Sequence, residues 1–265
     1  MQVSEKQSLA TALNLKAQAD FRKGNYSKAA SLYAEALRIN RSLDNADGVA
    51  TELINLSQAY RKMSEPEKAH KALDELLGVN SKLYNEQYAI EAAFVKSLLS
   101  LDSKDHEKTT QWSDNALARC KDRKCNAAGK IINLKARIAL IRSDYANASS
   151  YASDALNINR SQSNAEESAN SLRILAECRL AAGAYAEARK LFEEALASDK
   201  AAGLSAKIKT DLTGIGKTHC AQKNTEAGIE FLKRALTVSD SSGDASGADE
   251  IKQLITQCST ASGKN

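Results

Sequence analysis

The sequence predicts an all-α protein built from six antiparallel helix pairs and a C-terminal capping helix. Three observations lead to this prediction. The 265 residues include one proline and 5% aromatics, with abundant Ala, Leu, Lys, Glu and Ser, a composition that favours helices over a β-sandwich or an α/β sheet. A pair of the Ala-Leu type recurs at nearly constant spacing. A column of small residues recurs with it, as expected of stacked helical repeats.

The Ala-Leu pairs define the repeat. Their spacings are 40, 40, 39, 40 and 40 residues, and the pairs begin at Ala36, Leu76, Ala116, Ala155, Ala195 and Ala235. Nineteen residues before each pair stands a position that is always small: Ala17, Ser57, Ser97, Ala136, Ala176 and Gly216. We interpret this column as the point where two helices cross too closely for a larger side chain, and six repeats cover nearly the whole chain.

Each repeat reads as two helices joined by a turn. In the first repeat, residues 9–23 and 26–40 place apolar residues at helical spacing, and Gly24-Asn25 interrupts the run. We expect an N-terminal lead at 1–8, six helix pairs at 9–244 with junctions near 48, 88, 127, 167 and 207, a capping helix at 245–258 and a polar tail at 259–265. The capping helix would cover the apolar face of the last repeat.

The fifth repeat shows the order of residues most clearly. It has a small residue, a Gly-x-Tyr turn, an alanine, an aromatic and Ala-Leu, at Ala176, Gly183, Tyr185, Ala188, Phe192, Ala195 and Leu196. This order resembles the motif of the tetratricopeptide repeat (TPR) family, and the resemblance covers about residues 9–239. It implies a right-handed α-α superhelix, a TPR solenoid, with a concave groove lined by the first helix of each pair.

Two features depart from the usual TPR motif. The period is 40 rather than about 34 residues, and no copy has the proline that usually ends the second helix. The chain in this respect resembles the long-repeat subgroup found in kinesin light chains, spindle-orientation adaptors and bacterial peptide-responsive regulators. The third repeat is the weakest copy, because it has Lys104, Thr109 and Ser113 where the family prefers glycine, alanine and an aromatic, and its helix boundary is left open.

Projection along the first helices places a polar, mostly basic set of residues on the groove. The densest group is Lys130, Asn133, Arg137, Asn170 and Arg173, and the others are Asn14, Gln18, Arg22, Gln58, Arg61, Lys62 and Lys217. Asparagine can bond a peptide backbone and arginine can hold a carboxylate with two hydrogen bonds. The resemblance implies a partner protein or peptide as ligand, with an acidic or C-terminal segment. The competing interpretation is that these are solvated helix faces.

Three functions follow from these observations. The first is a non-catalytic TPR scaffold or adaptor that binds an extended peptide or a helix of a partner protein. The second is a regulatory protein switched by a short peptide. The third is a nucleotide-binding enzyme, and it rests on Gly216-Lys217-Thr218 alone, because a phosphate-binding loop needs a glycine where Asp211 stands and a buried strand leading in.

Composition and motifs argue against several other classes. A net charge of +4, from 37 basic and 33 acidic residues, is too small to indicate nucleic acid binding. The three histidines, His70, His106 and His219, stand in different repeats without ligand spacing, so neither a metal nor a cofactor is expected. No stretch is long and apolar enough to predict a transmembrane segment, and the chain as given reads as soluble. The sequence does not decide between a monomer and a homodimer.

The cysteines bear on the compartment. Cys120 and Cys125 lie at the one junction where the period drops to 39, either as a disulfide in an oxidising compartment or as two free thiols. Cys178, Cys220 and Cys258 read as small core or groove residues. If Met1 replaces a removed export signal, such as that of a bacterial lipoprotein, the protein is expected in the cell envelope. The alternative location is the cytoplasm.

Overall fold

The computed structural model describes residues 2–262, and all of its regular elements within this range are helices. The chain divides into two compact units, Met1–Ile131 and Ile132–Asn265. Over the described residues, no helix combines the length and the apolar character that a bilayer crossing requires. Successive helices pack as neighbours within each unit, for example α1 on α2 and α11 on α12.

The first unit contains three helix pairs and the beginning of a seventh helix. These helices are α1 Val3–Arg22, α2 Tyr26–Ser42, α3 Ala46–Lys62, α4 Pro66–Leu77, α5 Glu86–Asp102, α6 His106–Arg119 and α7 Ala128–Ile141. Helix α1 thus begins within the segment that the sequence analysis set apart as a lead. Short 3-10 turns at Val79–Leu83 and Lys121–Arg123 follow α4 and α6, the two shortest second helices in this unit.

The second unit contains the rest of α7 and six further helices. They are α8 Tyr145–Ser161, α9 Ala165–Ala181, α10 Tyr185–Ala201, α11 Ser205–Ala221, α12 Thr225–Ser241 and α13 Ala245–Ser262. The last helix is the predicted capping helix, and it packs on α12 with Ala248, Ile251 and Cys258 buried. It runs four residues beyond the predicted end, so the predicted tail at 259–265 is helical up to residue 262, and 263–265 lie outside the described residues.

The turn inside each helix pair has one geometry. One residue has a left-handed backbone conformation, and the next N–H donates to the carbonyl five residues earlier, as in a Schellman motif. Asn25 donates in this way to Asp20 at 2.9 Å, and Asp105 to Ser100 at 2.9 Å. The left-handed residues recur with the period of the repeat: Gly24, Ser64, Lys104, Ser143, Gly183 and Lys223. Lys104, with φ of 59°, thereby fixes the helix boundary that the sequence left open in the third repeat.

The column of small residues is the place where paired helices approach most closely. Its members from Ala17 to Ala176 have no exposed surface, and Gly216 is buried in α11. A Cβ atom added to Gly216 would stand 3.1 Å from the carbonyl oxygen of Gly228 on α12 and 2.7 Å from Cγ of Leu232. Gly216-Lys217-Thr218 therefore lies inside a helix, at a helix crossing, and not in a loop.

We expect Gly216→Val to lower the free energy of unfolding by about 1–3 kcal/mol, because a branched side chain has no space between α11 and α12. Urea unfolding followed by circular dichroism measures the change. Lys217→Ala is the matched control, since the neighbouring side chain is 41% exposed and should be replaceable at little cost. Equal midpoints for Gly216→Val and the wild type would show that the helices do not cross this closely.

The weak third repeat keeps the same helix packing, and its unusual polar side chains form hydrogen bonds to their own helix. Thr109 and Ser113 are fully buried on α6. The Thr109 hydroxyl donates to the carbonyl of Asp105 at 2.7 Å, and the Ser113 hydroxyl donates to the carbonyl of Thr109 at 2.7 Å. Two small residues therefore satisfy their hydroxyl groups locally and occupy positions that the family fills with alanine and an aromatic.

Two cysteines that the sequence analysis assigned to the core or groove are paired with each other. Cys220 near the end of α11 and Cys258 near the end of α13 form a disulfide, with 5.4 Å between their Cα atoms. No short-range motif indicates this pair, because the two residues are 38 positions apart. That separation is close to one repeat, however, and one repeat places two residues on neighbouring, equally directed helices. The third of these cysteines, Cys178, is buried and unpaired, as predicted for a core position.

Candidate functional site

The predicted groove residues lie on first helices of the pairs, and many of them bond to the next first helix. In the second unit, Asn133 on α7 is 5% exposed. Its amide donates to the backbone and side-chain oxygens of Glu167 on α9, each at 2.8 Å, and it accepts from the Ser171 hydroxyl at 2.6 Å. The hydrogen-bonding groups of Asn133 are thereby used between neighbouring helices.

Arg173 on α9 is held in the same way. Its guanidinium donates to Asp211 on α11 at 2.6 Å, to Asn170 at 2.6 Å, and to Asp199 on α10. The side chain is 13% exposed and both carboxylates are fully buried. Asn170 also donates to Glu167 at 3.0 Å, so it joins Arg173 to the bonds made by Asn133. We call this set, Asn133, Glu167, Asn170, Ser171, Arg173, Asp199 and Asp211, the second-unit network.

The first unit repeats this contact at its N-terminal end. Asn14 on α1 donates to Glu52 on α3 at 2.6 Å, and Gln18 donates to Asn14 at 2.7 Å. Glu52 is only 3% exposed, and burial raises the pKa of its carboxyl to about 7 although Asn14 donates to it. This carboxyl consequently contributes much less negative charge near neutral pH than an exposed glutamate would.

These contacts share one spacing. Asn14 bonds Glu52, Asn133 bonds Ser171, and Arg173 bonds Asp211, and the two partners are 38 residues apart in each case. The first members were predicted as groove residues from helical projection, whereas their partners were not predicted. A search for complementary polar residues at this separation would have found them, because the spacing joins adjacent first helices.

Two further predicted residues are ion-paired within the first unit. Lys130 on α7 lies 2.6 Å from Glu91 on α5, and its ammonium group stands 4.7 Å from the centre of the Phe94 ring. Arg61 on α3 donates to Asp102 on α5 at 2.5 Å. Both pairs are partly exposed, so they add little stability, but they neutralise the charge of these two cations.

Three predicted cations stay uncompensated. Arg22, Lys62 and Arg137 are exposed, and in the described part of the chain none of them forms an ion pair. Lys217, also predicted, is 41% exposed and stands 4.0 Å from Glu177, the limit of an ion pair. Arg22 and Lys62 end α1 and α3 and occupy the same repeat position in the first and second repeats.

A depression of about 230 Å³ adjoins Arg22. It is lined by side chains of α1, α2 and α3: Gln18, Phe21, Arg22, Tyr33, Asn55 and Gln58. Two aromatic residues form apolar contacts there, and three amides offer donors and acceptors. Lys62 follows Gln58 by one helical turn on α3. We call Gln18, Arg22, Gln58 and Lys62, with the depression, the α1–α3 surface.

Catalytic and metal sites are not evident at the other residues considered. Among the side chains that the structure describes, no group of three or more His, Cys, Asp or Glu is arranged to hold a metal ion. His219 stacks on Phe231 with 5.5 Å between ring centres, and burial lowers its pKa. Burial likewise raises the pKa of the Cys178 thiol, which disfavours the reactive thiolate.

The cysteines of the short third junction lie close together. The Cα atoms of Cys120 and Cys125 are 5.3 Å apart, within the range of a disulfide, and their sulfur atoms are in contact. A bridge at this place stays a proposal. Alkylation and mass spectrometry of the unreduced protein would decide it.

Solved structures show the same fold in other proteins. The apo form of RapI superposes with a TM-score of 0.67 at 13% identity, over 96% of this chain and 71% of that chain. A Rap protein complexed with competence and sporulation factor gives 0.64 at 12% identity, over 96% and 78%. A signal transduction ATPase with a TPR sensor from Pyrococcus horikoshii gives 0.71 at 17% identity, and this chain, covered to 99%, spans 40% of it. These identities establish likeness of fold alone.

The sequence itself matches one family. The profile of the tetratricopeptide repeat matches residues 8–81 and 127–201, which together exceed half of the chain. No curated protein matches the sequence. The matched segments contain the small-residue column, the turns and the Ala-Leu pairs of four of the six repeats. The chain is therefore an all-α member of the tetratricopeptide repeat family.

Proposed function

We propose that this protein is a non-catalytic adaptor whose α1–α3 surface binds an acidic, extended segment of a partner protein. The observation that supports this proposal most directly is the pair of exposed, uncompensated cations, Arg22 and Lys62, beside a depression lined by aromatic and amide side chains. Glu52, the buried acid below this surface, has a pKa raised to about 7, so near neutral pH it offsets less of their charge than an exposed glutamate would.

The chemistry of the surface matches an extended peptide. The partly exposed Gln18 and Gln58 can bond backbone amides, and Phe21 offers contact to an apolar side chain. The two cations can attract carboxylates of the ligand, and this attraction should weaken in salt because both are exposed. In the second unit, the groove residues Arg137 and Lys217 are the counterparts of these cations. Arg137 is exposed, and the Lys217 side chain is 41% exposed.

A peptide display library is a direct test of this proposal. We expect the selected peptides to be enriched in Asp and Glu, and their affinity, measured by fluorescence anisotropy, to fall at high salt. The charge-reversed variant Arg22→Glu/Lys62→Glu should bind about tenfold more weakly or worse, a loss of roughly 1.4 kcal/mol. A short regulatory peptide would be selected in the same experiment.

Arg38→Glu/Lys71→Glu is the matched control, because it makes the same change of net charge with exposed cations of the second helices α2 and α4. We expect it to bind like the wild type. If the two double variants lose affinity equally, net charge rather than the α1–α3 surface determines binding. If no peptide is selected, the surface does not bind extended segments, and the proposal fails.

A further inference from the structure

Three charged side chains meet inside the second unit, contributed by three successive helices. Arg173 of α9 bonds both Asp199 of α10 and Asp211 of α11. Neither carboxylate has any exposed surface. If both are ionised, the cluster has one positive and two negative charges, and a net negative charge is buried. Such a charge is costly in a protein interior unless it is paired or neutralised by a proton.

Two oxygen atoms of this cluster have no donor. Each carboxylate accepts from Arg173 with one oxygen, whereas the other oxygens, Oδ1 of Asp199 and Oδ2 of Asp211, are buried and form no hydrogen bond among the described residues. The two carboxylates are nevertheless near each other, because both accept from the guanidinium of Arg173, and the proximity of Asp199 raises the pKa of Asp211. Two carboxylates are both acceptors, so a hydrogen bond between them requires a proton.

We propose that Asp199 and Asp211 form a carboxyl dyad that shares one proton at neutral pH, and that this proton makes the junction of α9, α10 and α11 sensitive to pH. With the proton in place, the dyad and Arg173 have no net charge, and the protonated carboxyl can donate a hydrogen bond to the other. Loss of the proton leaves a buried negative charge and removes that donor. The proton belongs to the pair rather than to one residue.

The electrostatic surroundings of the dyad agree with a retained proton. Burial raises the pKa of Asp211 to about 7, Arg173 lowers it, and Asp199 raises it. On α11 itself, Lys209 is engaged by Asp244 at the start of α13, at 2.5 Å. Among the described residues of α12 and α13, no charged side chain is hydrogen-bonded or ion-paired to either carboxylate. Among the described residues, Arg173 of α9 is thus the one cation that is ion-paired to the dyad.

The sign of the effect on stability follows from the direction of the shift. In the unfolded chain an aspartate has its ordinary pKa of about 3.9. In the folded protein, burial raises the pKa of Asp211 to about 7, so the dyad holds its proton up to that pH. The folded state therefore binds more protons between these values, and the contribution of the dyad to stability is lost as the pH rises through neutrality. Loss of the proton should also affect the predicted groove residues, because Arg173 donates to Asn170 and Asn170 donates to Glu167.

Carbon NMR of the wild-type protein, with aspartate side-chain carboxyls labelled with ¹³C, tests the dyad directly. We expect the Asp211 carboxyl signal to titrate with a midpoint near pH 7, and the signal of the neighbouring Asp199 carboxyl to change with it. The variants Asp199→Asn and Asp211→Asn assign these signals, because each removes one and should return the other to the acid range. The dyad is excluded if every aspartate signal of the wild type titrates in the ordinary range, at about pH 4.

Stability supplies a second readout. The decline in stability from mildly acidic to mildly alkaline pH should be smaller in Asp211→Asn than in the wild type, because the amide cannot release a proton. Asp240→Asn is the matched control, since it removes an exposed carboxylate of the same unit, and it should keep the wild-type slope. An unchanged slope in Asp211→Asn would overturn the proposal even if the variant is less stable at every pH. Should that variant not fold, the NMR titration of the wild type still decides.

Discussion

Replacing both Cys220 and Cys258 by alanine is expected to lower the free energy of unfolding of the second unit by about 4 kcal/mol. The bridge closes a segment of 38 residues, and a cross-link over such a length removes about this much entropy from the unfolded chain. It also ties the last turns of α13 to α11, so its loss should free the end of the capping helix. Guanidinium unfolding gives the free energy, and hydrogen exchange locates the loosened amides in α13.

Cys178→Ala is the control for this experiment, because that cysteine is buried but unpaired. It should cost much less than the double variant. Reduction of a protein that lacks Cys120 and Cys125 should reproduce the double variant, since only the bridge of α11 to α13 is then left to reduce. If reductant leaves the unfolding midpoint in place, Cys220 and Cys258 are not bonded in solution, and the end of the chain is held by packing alone.

Arg173→Ala is expected to destabilise the second unit by about 3–5 kcal/mol, because it removes one partner from a buried ionic cluster and leaves two carboxylates without it. The loss should be smaller at about pH 5 than above neutrality, since protons can neutralise the carboxylates when the guanidinium is absent. Denaturant unfolding at the two pH values measures both effects. A shared proton between Asp199 and Asp211 predicts this same pH trend.

Arg137→Ala provides the comparison, because this arginine is exposed on α7 and forms no ion pair within the described residues. Its effect on stability should stay within about 0.5 kcal/mol. Similar losses in the two variants would mean that Arg173 is no more important to stability than an exposed arginine. A loss in Arg173→Ala that does not depend on pH would argue against retained protons in the cluster.

The repeat architecture could be predicted because it depends on short-range patterns. The small-residue column needs a tight helix crossing, and that requirement appears in the sequence as Ala, Ser or Gly at one position of every copy. The third repeat was uncertain at this level, since Lys104 does not look like a turn residue. The structure shows that the turn needs a left-handed conformation rather than glycine itself, and Lys104 adopts it.

The candidate site was predictable only in part. Helical projection placed Asn133, Arg173 and Arg22 together on first helices, but it could not separate bonded from free side chains. That distinction depends on partners about one repeat away, such as Asp211 for Arg173. The pair Cys220–Cys258 was not predicted for the same reason, because a contact between residues 38 positions apart produces no pattern within a short segment.

The left-handed turns have a consequence for how this protein can change over time. Four of the six turns inside helix pairs use Ser or Lys, at Ser64, Lys104, Ser143 and Lys223, where only glycine escapes a steric penalty of about 1–2 kcal/mol. The fold thus keeps a reserve of stability that single substitutions to glycine in these turns can release. Such a reserve can compensate for destabilising changes elsewhere in the chain, so exposed helix faces can change in sequence while the helix pairs stay intact.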